Sequence, residues 1–358
     1  MRILVTGGAG FVGSTLALST KRDRNEVEVI AFDNLRRRGS ELTLQRLREG
    51  GVLFHHGDIR NPEDLEAVGP FDLMFECSAE PSVHAGYDQS PAYVLNSNLV
   101  GTIHCLEAAR RQGADLVYLS SSRVYPIDAL RRLPVEVRGK RFAVPSEVAG
   151  PGWSEAGVSA DFTLEGHRSI YGATKLCSEL LIQEYGAMYG LRAVVNRCGV
   201  LTGPWQMGKV DQGFVVLWAA RHRYGGALSY MGFGGQGHQV RDVLHAEDLY
   251  DLINLQVADI ENHAGQVYNV GGGPERSVSL AELTALCAAK TPSWGATDKV
   301  TLGSEPNTRP ADIPYYVTDT KAVTSATSWR PERSLEAVLD EIFQWLHDER
   351  TQLEPILK

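Results

Sequence analysis

The chain of 358 residues carries 44 acidic and 35 basic side chains, a formal net charge of −9. Because a nucleic-acid-binding protein needs a basic face, binding to nucleic acid is not expected. The sequence contains no apolar run of about 18 residues and no apolar signal segment near Met1, which predicts a cytoplasmic protein without a membrane partner. The five cysteines have no CxxC spacing, so we expect reduced thiols rather than disulfides or a metal site.

The first 200 residues alternate short apolar strands with helical segments. In chain order, strands are predicted at RILVTGG, VEVIAFDN, VLFHHGDI, DLMFECSA, DLVYLSSS and RAVVNRCG. Because these runs lack strict alternation, they favour a parallel sheet covered by helices on both faces. The predicted fold class is therefore α/β, with a doubly wound parallel sheet that binds ligands at the carboxyl ends of its strands.

Two regions interrupt this alternation. Residues 126–168 are rich in Pro, Gly, Arg and Glu, and a loop of that length inside a compact domain is usually functional or mobile. From about Gly203 onward the alternation is lost. We therefore predict one domain over residues 1–200, with 126–168 as an insertion, and a smaller cap over 201–358. Segments of about 240–280 are expected to return to the first domain.

The motif VTGGAGFVG places Gly7, Gly10 and Gly13 between the first predicted strand and the first helix. Such glycines let the backbone approach a pyrophosphate, whose charge meets the helix N-terminus. Asp33 ends the second predicted strand, where a carboxylate accepts hydrogen bonds from both ribose hydroxyls and repels a 2′-phosphate. NAD is therefore predicted rather than NADP. The three arginines at 36–38 leave an alternative open, because they either form a solvated loop or hold the 2′-phosphate of NADP.

Further cofactor contacts are predicted beside these motifs. Asp58 and Ile59 end the third predicted strand and are placed to flank an adenine, but Asp58 has the alternative role of capping the helix at NPEDL. The other predicted cofactor residues near these strands are Phe11, Val12, Asn34 and Arg37.

Tyr171 and Lys175 lie four residues apart in HRSIYGATKLCSELL, and therefore on one face of a predicted helix. A lysine beside a tyrosine favours loss of the phenolic proton, so the pair can act as a base. Ser121 ends the fifth predicted strand, at the ligand-binding edge of the sheet. Its hydroxyl can bind a substrate oxygen together with the Tyr171 phenol, or it can simply cap a loop.

In this order, these motifs resemble the extended short-chain dehydrogenase/reductase family, in particular its NAD-dependent nucleotide-sugar epimerases and dehydratases. The resemblance extends over nearly the whole chain through NLVGT, QVRDVLHAEDL, YNVGGG and RPADI. It implies a Rossmann domain for NAD and a smaller C-terminal cap that binds a nucleoside-diphosphate sugar. It also implies a homodimer or tetramer.

The resemblance assigns roles to individual residues. It implies that Ser121, Tyr171 and Lys175 form a catalytic triad, and that Asn98 belongs to the cofactor site. It further implies that the substrate's diphosphate or the nearby sugar is held by Arg241 and Arg309, and the guanidinium fork suits phosphate oxygens.

The residues after Ser121 indicate the reaction. In related 4,6-dehydratases an Asp-Glu pair follows the strand-end Ser or Thr, whereas this chain has Ser122 and Arg123. Neither replaces an acid–base carboxylate, since arginine stays protonated. An epimerase is therefore predicted. FDNLRRRGS, the Asp211-Gln212-Gly213 stretch and GFGGQGHQVRDVLHAEDL are most similar to the CDP-paratose 2-epimerases, in which Asp-Gln-Gly helps to build the substrate side of the cleft.

Some positions depart from the family pattern. Glu80, predicted to contact substrate together with Ser122 and Gln212, stands where Gln is common, and Val200 stands where many members have Asn. Three functions stay open: a CDP-paratose 2-epimerase-like enzyme, another family enzyme such as a UDP-sugar 4-epimerase, reductase or atypical dehydratase, and a non-catalytic NAD-binding sensor or scaffold.

Overall fold

The structure is a computed structural model and describes residues 1–210, 212–294 and 300–358. In chain order the strands are β1 (Arg2–Thr6), β2 (Glu28–Asp33), β3 (Leu53–His56), β4 (Leu73–Glu76), β5 (Asp115–Ser121), β6 (Glu136–Arg138), β7 (Arg141–Ala143), β8 (Trp153–Ser154), β9 (Gly157–Val158), β10 (Ala193–Cys198), β11 (Val200–Thr202), β12 (Gly226–Met231), β13 (Val240–His245), β14 (Val267–Val270), β15 (Ser277–Ser279), β16 (Val300–Glu305) and β17 (Tyr315–Tyr316).

The α-helices follow the same order along the chain. They are α1 (Phe11–Asp23), α2 (Thr43–Glu49), α3 (Pro62–Glu66), α4 (Ala92–Leu95), α5 (Gly101–Gln112), α6 (Ile127–Arg131), α7 (Ile170–Tyr189), α8 (Phe214–Tyr224), α9 (Ala246–Ala258), α10 (Ile260–His263), α11 (Leu280–Lys290), α12 (Lys321–Thr327), α13 (Leu335–Asp348) and α14 (Arg350–Leu357).

The centre of the fold is a seven-stranded sheet with the strand order β14-β10-β5-β4-β1-β2-β3. All six neighbouring pairs in it are parallel. The chain runs outward from β1 to β3 and then returns to the other side of β1 as β4. This reversal confirms the doubly wound sheet, and it opens a crevice at the carboxyl ends of β1 and β4.

Both faces of the central sheet are covered by helices. Val5 and Phe75 belong to one buried cluster, which includes side chains of α1 and α9. Leu4, Met74 and Tyr118 point to the other face and belong to a second cluster with side chains of α5 and α7. Because alternate residues are buried on opposite faces, the inner strands β1, β4 and β5 are largely apolar, as in the predicted pattern, whereas the edge strand β3 is mostly exposed.

The residues after 200 contribute to both parts of the molecule. β14 joins the central sheet beside β10, and α9 packs on α1. By contrast, α8, α11, α13 and α14 share a separate buried cluster, next to the parallel pair β12–β16. A smaller sheet pairs β13 with β11, β15 and β17. The predicted division into residues 1–200 and 201–358 stays a prediction.

The insertion at residues 126–168 is not a plain loop. It contains α6 and the antiparallel hairpins β6–β7 and β8–β9. Ile127, Leu130 and Phe162 are buried in a cluster that also includes Tyr316 from near the end of the chain. The sequence pattern did not predict this structure because the buried residues are too widely spaced to show a helix or strand period.

Among the helices in the described ranges, none is long and apolar enough to cross a membrane. The cytoplasmic location stays a prediction.

Candidate active site

A cavity of about 580 Å³ opens at the carboxyl ends of β1, β4 and β5 and adjoins a second cavity of about 430 Å³. Gly7, Gly10 and Arg37 line both. Of the residues that the sequence predicted for the site, all except Asn98 line one of these cavities or both. Their individual roles stay predictions.

The glycine loop wraps tightly around the start of α1. Gly7 has a φ of +64°, and its carbonyl oxygen accepts a hydrogen bond of 2.9 Å from the N–H of Gly10. A Cβ atom at Gly13 would lie 2.2 Å from that same oxygen, so no larger residue fits there without a backbone shift. The first turn of α1 therefore lies at the cleft, and its residues Phe11 and Val12 line the larger cavity. This cradle fits the pyrophosphate of a dinucleotide.

Asp33 lies at the end of β2 and lines the smaller cavity. Its carboxylate accepts hydrogen bonds from the backbone N–H groups of Ala9 at 3.1 Å and Leu35 at 2.7 Å. Burial raises the pKa of Asp33, and these backbone bonds oppose that effect. The carboxylate is thus fixed beside the glycine loop, where it fits the ribose hydroxyls of NAD.

Asp58 lines the same smaller cavity as Asp33. Its carboxylate accepts hydrogen bonds from Arg60 at 2.9 and 2.5 Å and from the Asn34 amide at 2.8 Å. Burial acts to raise its pKa, but the bonds from Arg60 and Asn34 and the charge of Arg60 together outweigh burial and lower the pKa of Asp58 to about 2. The alternative role as a helix cap is wrong, because the residue at the N-cap of α3 is Asn61. Ile59 is buried beside Asp58.

Asn98 is fully buried in a π-helical turn at Asn96–Val100. Its side chain clamps the backbone of Glu80: Oδ1 accepts the Glu80 N–H at 2.7 Å, and Nδ2 donates to the Glu80 carbonyl at 3.0 Å. Asn98 thus fixes the loop after β4 and does not line either cavity. Glu80 lines the smaller cavity with Asp33, apart from Arg241 and Arg309, so its position does not favour the predicted contact with substrate.

Ser121, Tyr171 and Lys175 come together in the lining of the larger cavity. Ser121 ends β5, and its hydroxyl oxygen accepts the N–H of Arg123 at 3.1 Å. Tyr171 is the second residue of α7, whose start is fixed by the Ser169 hydroxyl accepting the Gly172 N–H at 3.2 Å. The end of β5 and the first turn of α7 therefore present their hydroxyl groups to one space.

Lys175 is buried one helical turn after Tyr171. Its Nζ donates to the Leu119 carbonyl at 2.9 Å and lies 4.6 Å from the centre of the Tyr118 ring. Burial disfavours the ammonium, but the neighbouring Tyr118, Glu76 and Tyr171 outweigh burial and raise the pKa of Lys175. The amine therefore stays positively charged beside the Tyr171 phenol at neutral pH.

The opposite wall of the larger cavity is built around the segment 309–313. Arg123 donates to the Ala311 carbonyl at 3.1 Å, and Arg241 donates to the Ile313 carbonyl at 2.7 Å. In the described part of the chain, neither guanidinium forms an ion pair with a carboxylate. Burial lowers the pKa of Arg241 to about 9, and the nearby charge of Arg123 adds to this effect. Such buried cations favour an anionic ligand such as a diphosphate.

Asp312 is the acidic residue of this wall. Arg309 binds it through two hydrogen bonds of 3.0 and 3.2 Å, and His84 Nε2 lies 3.2 Å from its Oδ1. Burial acts to raise the pKa of Asp312, but the bonds from His84 and Arg309 outweigh burial and hold it below the ordinary value. Asp312 is therefore an anion across the neutral pH range.

Arg37 connects the cofactor side of the cleft to the segment that carries Met207 and Gln212. It donates to the Met207 carbonyl at 2.8 Å and to the Gln212 side-chain oxygen. Ser122 and Gln212, both predicted to contact substrate, line the larger cavity. Asp211, the first residue of the Asp-Gln-Gly stretch, lies outside the described residues.

The sequence reasoning missed several residues that shape the site. His84 and Asp312 were not singled out, although Asp312 stands three residues after Arg309 in the quoted RPADI motif. Glu76 was also missed. The sequence feature that could have indicated it is the acidic residue at the end of the otherwise apolar strand LMFE.

The model of the "NAD dependent epimerase/dehydratase family" matches residues 3–271. The chain belongs to this family. It is 29% identical to the CDP-paratose 2-epimerase of Salmonella typhi over 357 residues, covering 96% of this chain and 99% of that protein. It is also 27% identical to dTDP-glucose 4,6-dehydratase 1 of Escherichia coli (strain K12) over 360 residues, covering 96% and 92%.

Among solved structures, the fold is similar to a DesIV double mutant, a dTDP-glucose 4,6-dehydratase from Streptomyces venezuelae with NAD and DAU bound. The TM-score is 0.75 at 27% identity, with 100% of both chains covered. As a member of the NAD dependent epimerase/dehydratase family, the chain is an NAD-dependent enzyme. The predicted family, fold and cofactor are confirmed.

We expect the purified protein to retain NAD, and the Gly13→Ala variant to lose most of it. The added Cβ would lie 2.2 Å from the Gly7 carbonyl oxygen and would displace the loop. The measurement is an enzymatic assay of dinucleotide released by acid. Gly186→Ala is the matched control, because its Cβ would lie 3.4 Å from the Leu191 carbonyl, an ordinary contact. Release of NADP, or full retention in Gly13→Ala, would contradict the assignment.

Proposed function

We propose that the chain is an NAD-dependent epimerase of a nucleoside-diphosphate sugar, most similar in function to CDP-paratose 2-epimerase. The observation that carries this proposal is that no described residue lining the larger cavity offers a carboxyl able to donate a proton. Among the described residues that line it, Asp312 is the one carboxylic acid. Because Arg309 and His84 hold Asp312 as an anion, it is unsuited to the acid catalysis that elimination of water requires.

The residues present suit a reversible oxidation of one ring carbon. Tyr171 takes the proton of the sugar hydroxyl, Ser121 holds the same oxygen by a hydrogen bond, and Lys175 stabilises the charge of the phenolate. NAD, when bound, supplies the acceptor of the hydride. The keto sugar then turns while Arg241 and Arg309 hold the diphosphate. Tyr171 returns the proton when the carbon is reduced on its other face.

Similarity supports the finer assignment. The 29% identity to the Salmonella typhi CDP-paratose 2-epimerase extends over nearly both whole chains. Another family enzyme, such as a UDP-sugar 4-epimerase, a reductase or an atypical dehydratase, is the second candidate, since dTDP-glucose 4,6-dehydratases reach 28% identity. A non-catalytic NAD-binding sensor is disfavoured because Tyr171 and Lys175 are both present in the cleft. A homo-oligomeric assembly stays a prediction.

The reaction class is testable on CDP-, UDP-, GDP- and dTDP-sugars incubated with the protein, with NMR to detect a change of configuration and mass spectrometry to detect loss of water or CO₂. We expect one sugar to change configuration at a ring carbon without loss of water or CO₂. In heavy water that carbon should carry no deuterium, because its hydrogen leaves and returns as the same hydride. A product lighter by one water, or labelled from solvent, would assign the chain to the dehydratases instead.

A further inference from the structure

Glu76 is a fully buried carboxyl directly behind the proposed catalytic residues. It is the last residue of β4, with 0% of its surface exposed. In the sheet register it is paired with Thr6 of β1 on one side and with Tyr118 of β5 on the other. Because paired residues of parallel strands point to the same face, Glu76 and Tyr118 both face the layer of α5 and α7.

The same space is occupied by Lys175, whose Nζ lies 4.6 Å from the Tyr118 ring. Within the described residues, neither carboxyl oxygen of Glu76 has a well-formed hydrogen bond, although the nearby backbone N–H of Ser78 favours the ionised carboxyl. An ionised carboxyl in this position is out of water without the bonds that buried charges normally have. The positive charge that compensates an ionised Glu76 is the Lys175 ammonium, which lowers the pKa of Glu76 electrostatically.

The other titratable groups facing Glu76 stay neutral near pH 7. They are the Cys105 thiol on α5 and the Tyr118 phenol on β5, and the adjacent Cys77 thiol lies on the opposite face of the sheet; burial raises the pKa of each. Burial also raises the pKa of Glu76 from its ordinary value of 4.5 to about 7, against the opposing effect of Lys175. Glu76 and Lys175 are therefore the charged groups that act on Tyr171 from the buried side, whereas the Arg123 guanidinium acts on it from the cavity.

We propose that Glu76 is a positioning residue that acts through Lys175 and regulates the base Tyr171. When Glu76 is ionised, its negative charge offsets part of the Lys175 charge, and the Tyr171 phenol holds its proton more strongly. When Glu76 is neutral, the full ammonium charge acts on Tyr171. The inference rests on the proposed function, in which Tyr171 and Lys175 form the base.

The first test compares the E76Q variant with the wild type across the pH range. At about pH 6 the wild-type carboxyl is mostly protonated, so the two proteins have the same charge. We expect the ratio of kcat/KM between E76Q and wild type to rise about three- to tenfold between about pH 6 and pH 8. A purely structural role would change kcat/KM by the same factor at every pH. A flat or falling ratio would overturn the proposal.

The second test needs no turnover and so stands apart from the proposed function. A carboxyl whose pKa is raised by folding stabilises the protein most below its ordinary value, and this stability is lost as the pH rises to the folded value. The melting temperature of the wild type should therefore fall relative to that of E76Q by at least about 3 °C between pH 4.5 and 7.

The double variant identifies Lys175 as the partner. In K175M no ammonium favours the ionised carboxyl, so the pKa of Glu76 should rise above its wild-type value of about 7. The fall in melting temperature should then continue to a higher pH than in the wild type. In E76Q/K175M the fall should be absent. An identical pH dependence of melting in wild type and E76Q, or in wild type and K175M, would overturn the inference even if the epimerase activity were established.

Discussion

The Tyr171→Phe variant is expected to turn over about 10²–10⁴ times more slowly than the wild type, the factor typical for loss of a general base. The substitution removes one hydroxyl and leaves the buried ring in place at the first turn of α7. Product analysis by NMR at fixed reaction times, on the sugar that the wild type epimerises, measures this loss. Tyr189→Phe is the matched control, since Tyr189 is the exposed last residue of the same helix.

Two further variants separate the contributions within the proposed triad. Lys175→Met should be as damaging as Tyr171→Phe and should also retain less NAD, because it removes the buried charge beside the phenol. Ser121→Ala should be milder, since the serine supplies one hydrogen bond and no charge. Full activity in Tyr171→Phe would mean that another group is the base.

The Glu179→Gln variant is expected to lose about 3–5 kcal/mol of unfolding free energy, the usual cost of breaking a buried ion pair by removing one partner. Arg197 and Glu179 are both buried and are joined by bonds of 3.1, 3.1 and 2.7 Å. Glu179 also accepts a hydrogen bond from Ser120, the neighbour of Ser121. The variant leaves the Arg197 guanidinium charged in the interior without its counter-ion.

Urea denaturation measures this loss, with Glu184→Gln as control because Glu184 is exposed on the same helix. We expect the control to stay within about 0.5 kcal/mol of the wild type. A change of less than about 1 kcal/mol in Glu179→Gln would show that the pair is dispensable for stability. Loss of activity should accompany the larger change, because the ion pair supports the strand end that presents Ser121.

The parts of the structure that the sequence predicts are those governed by local pattern. Continuous apolar runs are typical of strands buried on both faces, and they predicted the central sheet. The glycine loop and the Tyr171–Lys175 spacing predicted the positions of those residues in the cleft. The pairing of His84 with Asp312 joins residues 228 positions apart, and Asn98 bonds Glu80 across 18 positions. No local period encodes such contacts, so they emerge only from the folded chain.

The insertion at 126–168 has a consequence for substrate choice. Arg131 of α6 donates to the main-chain carbonyls of Arg309, Pro310 and Asp312 from outside the cleft. The wall that presents Arg309 is therefore held in place by a segment that does not itself line the cavity. Exchange or shortening of this segment would move the arginine without altering any cleft residue. On the proposed function, in which Arg309 holds the substrate, a change in this outer support would alter which sugar the wall accepts.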